Sequence, residues 1–151
     1  MEAEPEFVVE RMTLEDLDQV MEIEEASFPT PWPRRIFEGE VGSPRTFTRV
    51  MKIEGRVIGY IIAWMVYDEV HVLNLAVHPD YRKRGIGETL LRGCLMHFLR
   101  RGAKFALLEV RRSNEEAKRL YEKLGFKQMG VRRRYYADTG EDAIIMVLRM
   151  V

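Results

Sequence analysis

The segment Asn74-Leu75-Ala76-Val77-His78-Pro79-Asp80-Tyr81-Arg82-Lys83-Arg84-Gly85-Ile86-Gly87 runs from an apolar strand into two glycines and then opens a helix. That order of elements suits a pyrophosphate. Glycines let the backbone approach the anion, successive N–H groups point at it, and the positive end of the helix favours its charge. Arg82, Lys83 and Arg84 add to the field. A glycine pair is also an ordinary turn, and the flanks decide which nucleotide loops are excluded. A dinucleotide loop needs a third glycine, which Gly85-Ile86-Gly87-Glu88-Thr89-Leu90 lacks, and no Walker lysine follows Gly87. The loop therefore suits a phosphate-bearing ligand of another class.

Other reactive side chains each have a plain structural reading beside a chemical one. Glu109 interrupts the apolar run Phe105-Ala106-Leu107-Leu108-Glu109-Val110, on the face of Leu107 and Arg111 by strand alternation. A carboxylate there needs a partner, such as Arg111 or Arg132. Tyr121 falls on a helical stripe with Ala117, Leu120 and Leu124, which favours core packing, and Asn114 stands at the start of that helix. Tyr135 and Tyr136 read as strand-end aromatics. Arg132-Arg133-Arg134 reads as a solvated face, with an acidic peptide, RNA or the 3′-phosphate of a nucleotide ligand as the weaker alternatives. His71, His78 and His97 share no ligand spacing, so no metal is expected, and Cys94 lies on an apolar stripe as a core residue rather than a nucleophile.

The elements that position these residues follow from periodicity. Thr13 caps a helix carrying Leu14, Leu17, Val20 and Met21 that ends near Phe28, and Pro29-Thr30-Pro31-Trp32-Pro33 forms a stiff loop. A short helix spans about Ile36 to Val41. Phe47 to Ile53 and Val57 to Val66 are strands joined by Glu54-Gly55-Arg56, and Val70 to Val77 is a third. The helix after Gly87 stops at Gly102. The apolar run at Phe105 reads as a strand buried on both faces and, across that helix, parallel to the previous strand. Ser113-Asn114-Glu115-Glu116 reads as a capping box, and Lys127 to Tyr135 and Ala143 to Met150 complete the sheet around a turn at Asp138-Thr139-Gly140.

This is an α+β pattern with a mixed central β-sheet flanked by helices, expected as one domain over residues 1–151. Equal totals of 24 Lys plus Arg and 24 Asp plus Glu give a net charge of zero, which removes the footprint of a dedicated nucleic-acid binder. A single cysteine allows no intrachain disulfide and fits a reducing compartment. The acidic stretch Met1 to Glu10 has no long apolar run, so neither signal peptide nor membrane span is expected there and a cytoplasmic protein is.

Two motifs carry a family resemblance over nearly the whole chain. Arg82-x-x-Gly85-x-Gly87 after a strand resembles the acetyl-CoA loop of the GNAT N-acetyltransferase superfamily. Asn114-Glu115-Glu116-Ala117-Lys118-Arg119-Leu120-Tyr121-Glu122-Lys123-Leu124-Gly125-Phe126 resembles its second signature, at matching spacing. Phe28-Pro29-Thr30-Pro31-Trp32, Leu108 to Asn114, Arg134-Tyr135-Tyr136 and Gly140 to Met146 resemble the RimI branch. Enzymes of that branch acetylate the N-terminal alanine of the eighteenth small-subunit ribosomal protein.

The resemblance implies the acyl-CoA N-acyltransferase fold, with splayed parallel strands binding acetyl-CoA as co-substrate. It further implies that the backbone of Leu75, Ala76 and Val77 holds the pantetheine. Lys83, Arg84, Gly85, Ile86, Gly87 and Glu88 would hold the pyrophosphate, and Asn114 and Tyr121 would contact the cofactor. Glu109 would be the general base and Tyr121 the general acid. Phe28, Pro29, Trp32, Tyr135 and Tyr136 would line the groove for a protein N-terminus, a ribosomal protein being the expected partner.

The amine chemistry agrees with that implication. An α-amino group near pKa 7.8 is roughly one-seventh neutral at pH 7, while deprotonating lysine near 10.4 costs about 3.5 kcal/mol more. One modest carboxylate therefore suffices for an N-terminus, by direct attack and without an acetyl-cysteine. The alternatives are a broader N-terminal or small-amine acetyltransferase and a non-catalytic acetyl-CoA-binding module.

Overall fold

Residues 46–66 form two strands because β-formers flank a turn that bends the right way. Glu54 and Gly55 both adopt left-handed φ, 49° and 79°, the combination a tight hairpin turn between twisted strands requires. The flanking strands are β2 (Thr46–Ile53) and β3 (Arg56–Val66). They belong to a computed structural model that describes residues 6–151. The expectation for residues 1–5 lies outside the described residues.

Among the described residues seven strands make one sheet in the order β1-β2-β3-β4-β5-β7-β6. The others are β1 (Phe7–Glu10), β4 (Glu69–Val77), β5 (Phe105–Arg111), β6 (Lys127–Arg132) and β7 (Ala143–Arg149). The helices are α1 (Leu17–Ser27), α2 (Arg34–Val41), α3 (Ile86–Leu99) and α4 (Glu115–Lys123). β4 and β5 pair in parallel, as their connection through α3 demands, whereas β1–β2, β5–β7 and β6–β7 are antiparallel. The expected mixed α+β architecture is therefore the observed one. The β4–β5 ladder has three pairs, Glu69–Phe105, Val70–Ala106 and His71–Leu107, although β4 continues to Val77 and β5 to Arg111.

The chain divides into two compact units. The first runs to Ala63 and takes in Asn74–Cys94; its core includes Leu17, Val20, Ile23, Phe37, Tyr60, Ile61, Ile86 and Leu91. Gly59 on β3 is required there. A Cβ at this position would meet Ile86 Cγ2 at 3.0 Å, the Ala76 carbonyl oxygen at 3.2 Å and Leu90 Cδ1 at 3.3 Å, so the missing side chain lets the first turn of α3 sit against the sheet. The second unit comprises Trp64–Leu73 and Leu95–Val151 and packs Ala106, Leu108, Val110, Tyr121, Phe126, Ile144 and Met146.

Several local expectations are corrected. The residues before Thr13 include a strand, β1, whose four exposed residues give no burial pattern to read. Thr13 and Asp16 form a capping box around a single 3-10 turn, Leu14–Asp16, which leaves Leu14 59% exposed, and α1 starts only at Leu17. β5 is buried on one face alone, through Ala106, Leu108 and Val110; the other face carries the charged side chains. Asn114, not Ser113, caps α4 by accepting from the Ala117 N–H at 3.1 Å. β6 ends at Arg132, before the tyrosine pair, because Arg134 turns to φ 50° and gives its N–H to Asp142 Oδ1 at 3.0 Å.

Candidate active site

In the first unit the phosphate loop is made of backbone. Lys83 and Gly85 take left-handed φ of 63° and 78° on either side of Arg84, and α3 begins at the next residue, Ile86. Alternation of this kind turns neighbouring N–H groups to one side, which makes an anion cradle, and the dipole of a 14-residue helix adds to it. Thr89 closes the first turn with two bonds to the Gly85 carbonyl, from its N–H at 3.0 Å and its hydroxyl at 2.9 Å. Gly87 lies in that turn, and Glu88 pairs with Arg92 at 3.0 Å.

Arg82 does not point out of the loop. Its Nε donates to the Val77 carbonyl at 3.1 Å and its guanidinium reaches Ser27 Oγ at 3.2 Å, so it braces the end of β4 against the end of α1. Arg84 stacks over Tyr81, 5.1 Å from the ring centre. On β4, Ala76 is buried while Leu75 and Val77 are half-buried. The proline-rich loop leaves Pro29 exposed and Phe28 and Trp32 half-buried, with the Trp32 ring 5.4 Å from that of Phe37.

In the second unit the candidate residues are held by charge. Glu109 Oε1 pairs with Arg132 Nε at 3.1 Å, and the carboxylate side chain stays 30% exposed. Of the two arginines within reach by sequence, Arg132 is the partner realised. Arg111 instead forms a two-pronged bridge to Asp138, at 3.0 and 2.7 Å, and lies 3.9 Å over the Tyr136 ring. Glu141 receives the Ser113 N–H at 3.0 Å, and Arg112 pairs with Asp142 at 3.1 Å. Together these bonds fasten the segment carrying Tyr135 and Tyr136 to the end of β5. The two tyrosine rings meet edge to face at 5.2 Å.

Burial and charge fix the protonation of the phenols. The Glu109 charge raises the pKa of Tyr135, burial adding to it. Burial pushes Tyr136 up to about 12 against the opposing pull of Arg111, and pushes Tyr121 up to about 12. Tyr121 is 8% exposed and packs its ring 5.9 Å from Phe126, the core position its periodicity predicts. Burial likewise drives Cys94 up to about 12, which suits a packed thiol and not a nucleophile.

Sequence reasoning misses three residues. Glu24 and Gly59 sit inside ordinary helix and strand patterns; a glycine amid β-formers is an available signal for Gly59, whereas the burial of Glu24 shows only in the fold. Arg111 enters it only as a partner for Glu109, since its bridge to Asp138 spans 27 residues. Among the described residues no group of three or more His, Cys, Asp or Glu is arranged to hold a metal, and no helix is long and apolar enough to cross a membrane.

The family model of the acetyltransferase (GNAT) family matches residues 17–126. A Bacillus subtilis protein, provisionally named a ribosomal protein bS18-alanine N-acetyltransferase, is 41% identical over 139 residues, covering 91% of this chain and 92% of its own. An N-alpha-acetyltransferase of Sulfurisphaera tokodaii is 35% identical over 154 residues, covering 93% and 92%. The crystal structure of the ribosomal-protein-S18-alanine N-acetyltransferase from Escherichia coli superposes with a TM-score of 0.88 at 34% identity, covering 96% of this chain and 94% of that one.

Proposed function

The chain belongs to the acetyltransferase (GNAT) family and is an acetyl-CoA-dependent N-acetyltransferase, and from that premise we propose that it acetylates the N-terminal alanine of the eighteenth small-subunit ribosomal protein. The observation that carries the reading is the Glu109 carboxylate, ionically held by Arg132, partly open to solvent and faced by Tyr135. A single exposed carboxylate matches the modest proton demand of an α-ammonium group and not that of lysine.

Acetyl-CoA supplies an activated acetyl carbonyl on a thioester. Glu109 takes the proton of the substrate ammonium, directly or through water, and the freed amine attacks. N–H groups of β4 near Val77 face the negative charge that grows on the carbonyl oxygen. Past His71 the backbone of β4 lies beyond its ladder with β5, which leaves Leu75 to Val77 suited to an added strand such as pantetheine. The cradle at Lys83 to Glu88 takes the pyrophosphate.

Tyr121 serves the departing sulfur. With its pKa near 12 against roughly 8.5 for a simple thiol, complete proton transfer is uphill by about 5 kcal/mol. The phenol therefore steadies the sulfur as a hydrogen-bond donor while the C–N bond forms and the C–S bond breaks. The proton released by the acylated nitrogen passes to the departing thiolate, which leaves as the CoA thiol. The phenol stays neutral throughout the working pH range. Asn114, whose side chain caps α4, presents its remaining amide N–H groups to the cofactor. Tyr135 and Tyr136 in the second unit, and Phe28, Pro29 and Trp32 in the first, are the side chains assigned to the first residues of the peptide.

The similarity to an archaeal N-alpha-acetyltransferase supports a second reading, a broader N-terminal specificity. A panel of peptides differing only in the first residue separates the two by thiol release. Turnover confined to alanine and similarly small first residues supports the bS18-type assignment, and comparable turnover on large first residues supports the broader one. Absence of turnover on every free N-terminus contradicts both.

A further inference from the structure

We propose that Glu24 is a positioning residue for the substrate amine: its buried carboxylate fastens the Phe28–Trp32 loop to β3 and to β4, the strand that bears the cofactor backbone. Glu24 lies on α1 and is 1% exposed. Its Oε2 accepts the Trp32 N–H at 2.9 Å, while Oε1 accepts the Tyr60 hydroxyl and the Asn74 amide, the latter at 2.6 Å. These partners come from the loop, from β3, and from the residue directly before Leu75 on β4.

Two physical points give the arrangement a purpose. A buried carboxylate among neutral donors is a poor device for stability, since a well-packed apolar side chain serves that end at less cost. The loop also offers few handles: in residues 29–33 three are prolines, so Thr30 and Trp32 alone carry backbone N–H groups. Glu24 holds one of those two. The Trp32 ring is steadied by the same cluster, resting on Phe37, whose ring meets Tyr60 edge-on at 5.8 Å.

The inference rests on the reading of Phe28–Trp32 as a wall of the peptide site, so its test follows the loop and the substrate separately. Glu24→Gln can keep the Tyr60 and Asn74 bonds on its carbonyl oxygen, but it then turns an N–H toward the Trp32 N–H. Glu24→Asp keeps the charge and withdraws it by one methylene, and carries the test if the glutamine variant fails to fold. Tyr60→Phe removes a donor from the same carboxylate without touching the loop. The Trp64→Phe background makes Trp32 the sole tryptophan, so its emission reports the loop.

In a folded Glu24 variant the KM for a free alanine peptide is expected to rise about tenfold or more. The KM for acetyl-CoA and kcat should stay near wild type, and Trp32 emission should shift to the red. Tyr60→Phe should leave peptide KM in place. Unchanged emission and unchanged peptide KM in a folded Glu24 variant would overturn the inference, as would an equal rise in Tyr60→Phe. A loop that moves while peptide KM holds would instead overturn the reading of the loop as a peptide wall.

Discussion

The two compact units build their candidate sites from different materials. The first uses backbone: left-handed φ at Lys83 and Gly85, the opening turn of α3, and a glycine at position 59 that lets the helix sit close. The second uses charged side chains: Glu109 with Arg132, Arg111 with Asp138, and a ring of acidic residues that ties the Tyr135–Tyr136 segment to β5. The difference matches what each is proposed to hold. A pyrophosphate is invariant and is met by fixed N–H groups, whereas a peptide end and its proton call for side chains that titrate and adapt.

The largest effect separates the two units by function. Glu109→Gln is expected to lower kcat/KM about a hundredfold or more while acetyl-CoA binding by calorimetry stays unchanged. A matching loss of cofactor affinity would break the division. Next is the first unit's packing: Gly59→Ala should destabilise the fold by about 1–3 kcal/mol in urea unfolding and weaken acetyl-CoA binding, with no change in the pH profile of turnover. A shifted profile there would mean that the backbone unit also governs proton transfer.

Arg111→Gln should raise peptide KM several-fold and cost about 2 kcal/mol, because the bridge to Asp138 is mostly shielded, its side chains being 13% and 21% exposed. Arg132→Ala should cost under about 1 kcal/mol, since that side chain is 56% exposed, and its effect should fade in high salt.

Alkaline stability gives the comparison a further edge. Cys94 in the first unit and Tyr121 in the second both have pKa values raised on folding, to about 12 from ordinary values of 9.0 and 10.0. The folded state thus binds these protons more tightly. Their contribution is fully present below the unfolded values and is lost as pH climbs from about 9 toward about 12. Cys94→Ala should flatten the start of that decline near pH 9, and Tyr121→Phe only its later part; melting curves taken across the range check the order.

What the sequence reveals follows the same division. Backbone devices leave local marks, so the strand, the Gly85-x-Gly87 turn and α3 are readable from consecutive residues, as is the parallel β4–β5 pair from the helix between them. Charge networks leave none. Arg111 and Asp138 are far apart in the chain, and nothing near either one names the other. Glu24 reads as one more polar residue of an amphipathic helix until Trp32, Tyr60 and Asn74 converge on it. β1 escapes notice because a short edge strand exposed along its whole length shows no alternation. The tyrosine pair reads as part of a strand because β-formers precede it, whereas tertiary bonds from Asp142 and Arg111 turn the chain first.

The most direct test of the account is acetyl transfer to two peptides of one sequence beginning with alanine, one with a free N-terminus and one blocked there but retaining an internal lysine. Thiol release and intact peptide mass, measured together, are predicted to show a single acetyl group added to the free peptide and none to the blocked one. Acetylation of the blocked peptide at its lysine, with the free N-terminus left unmodified, would contradict it.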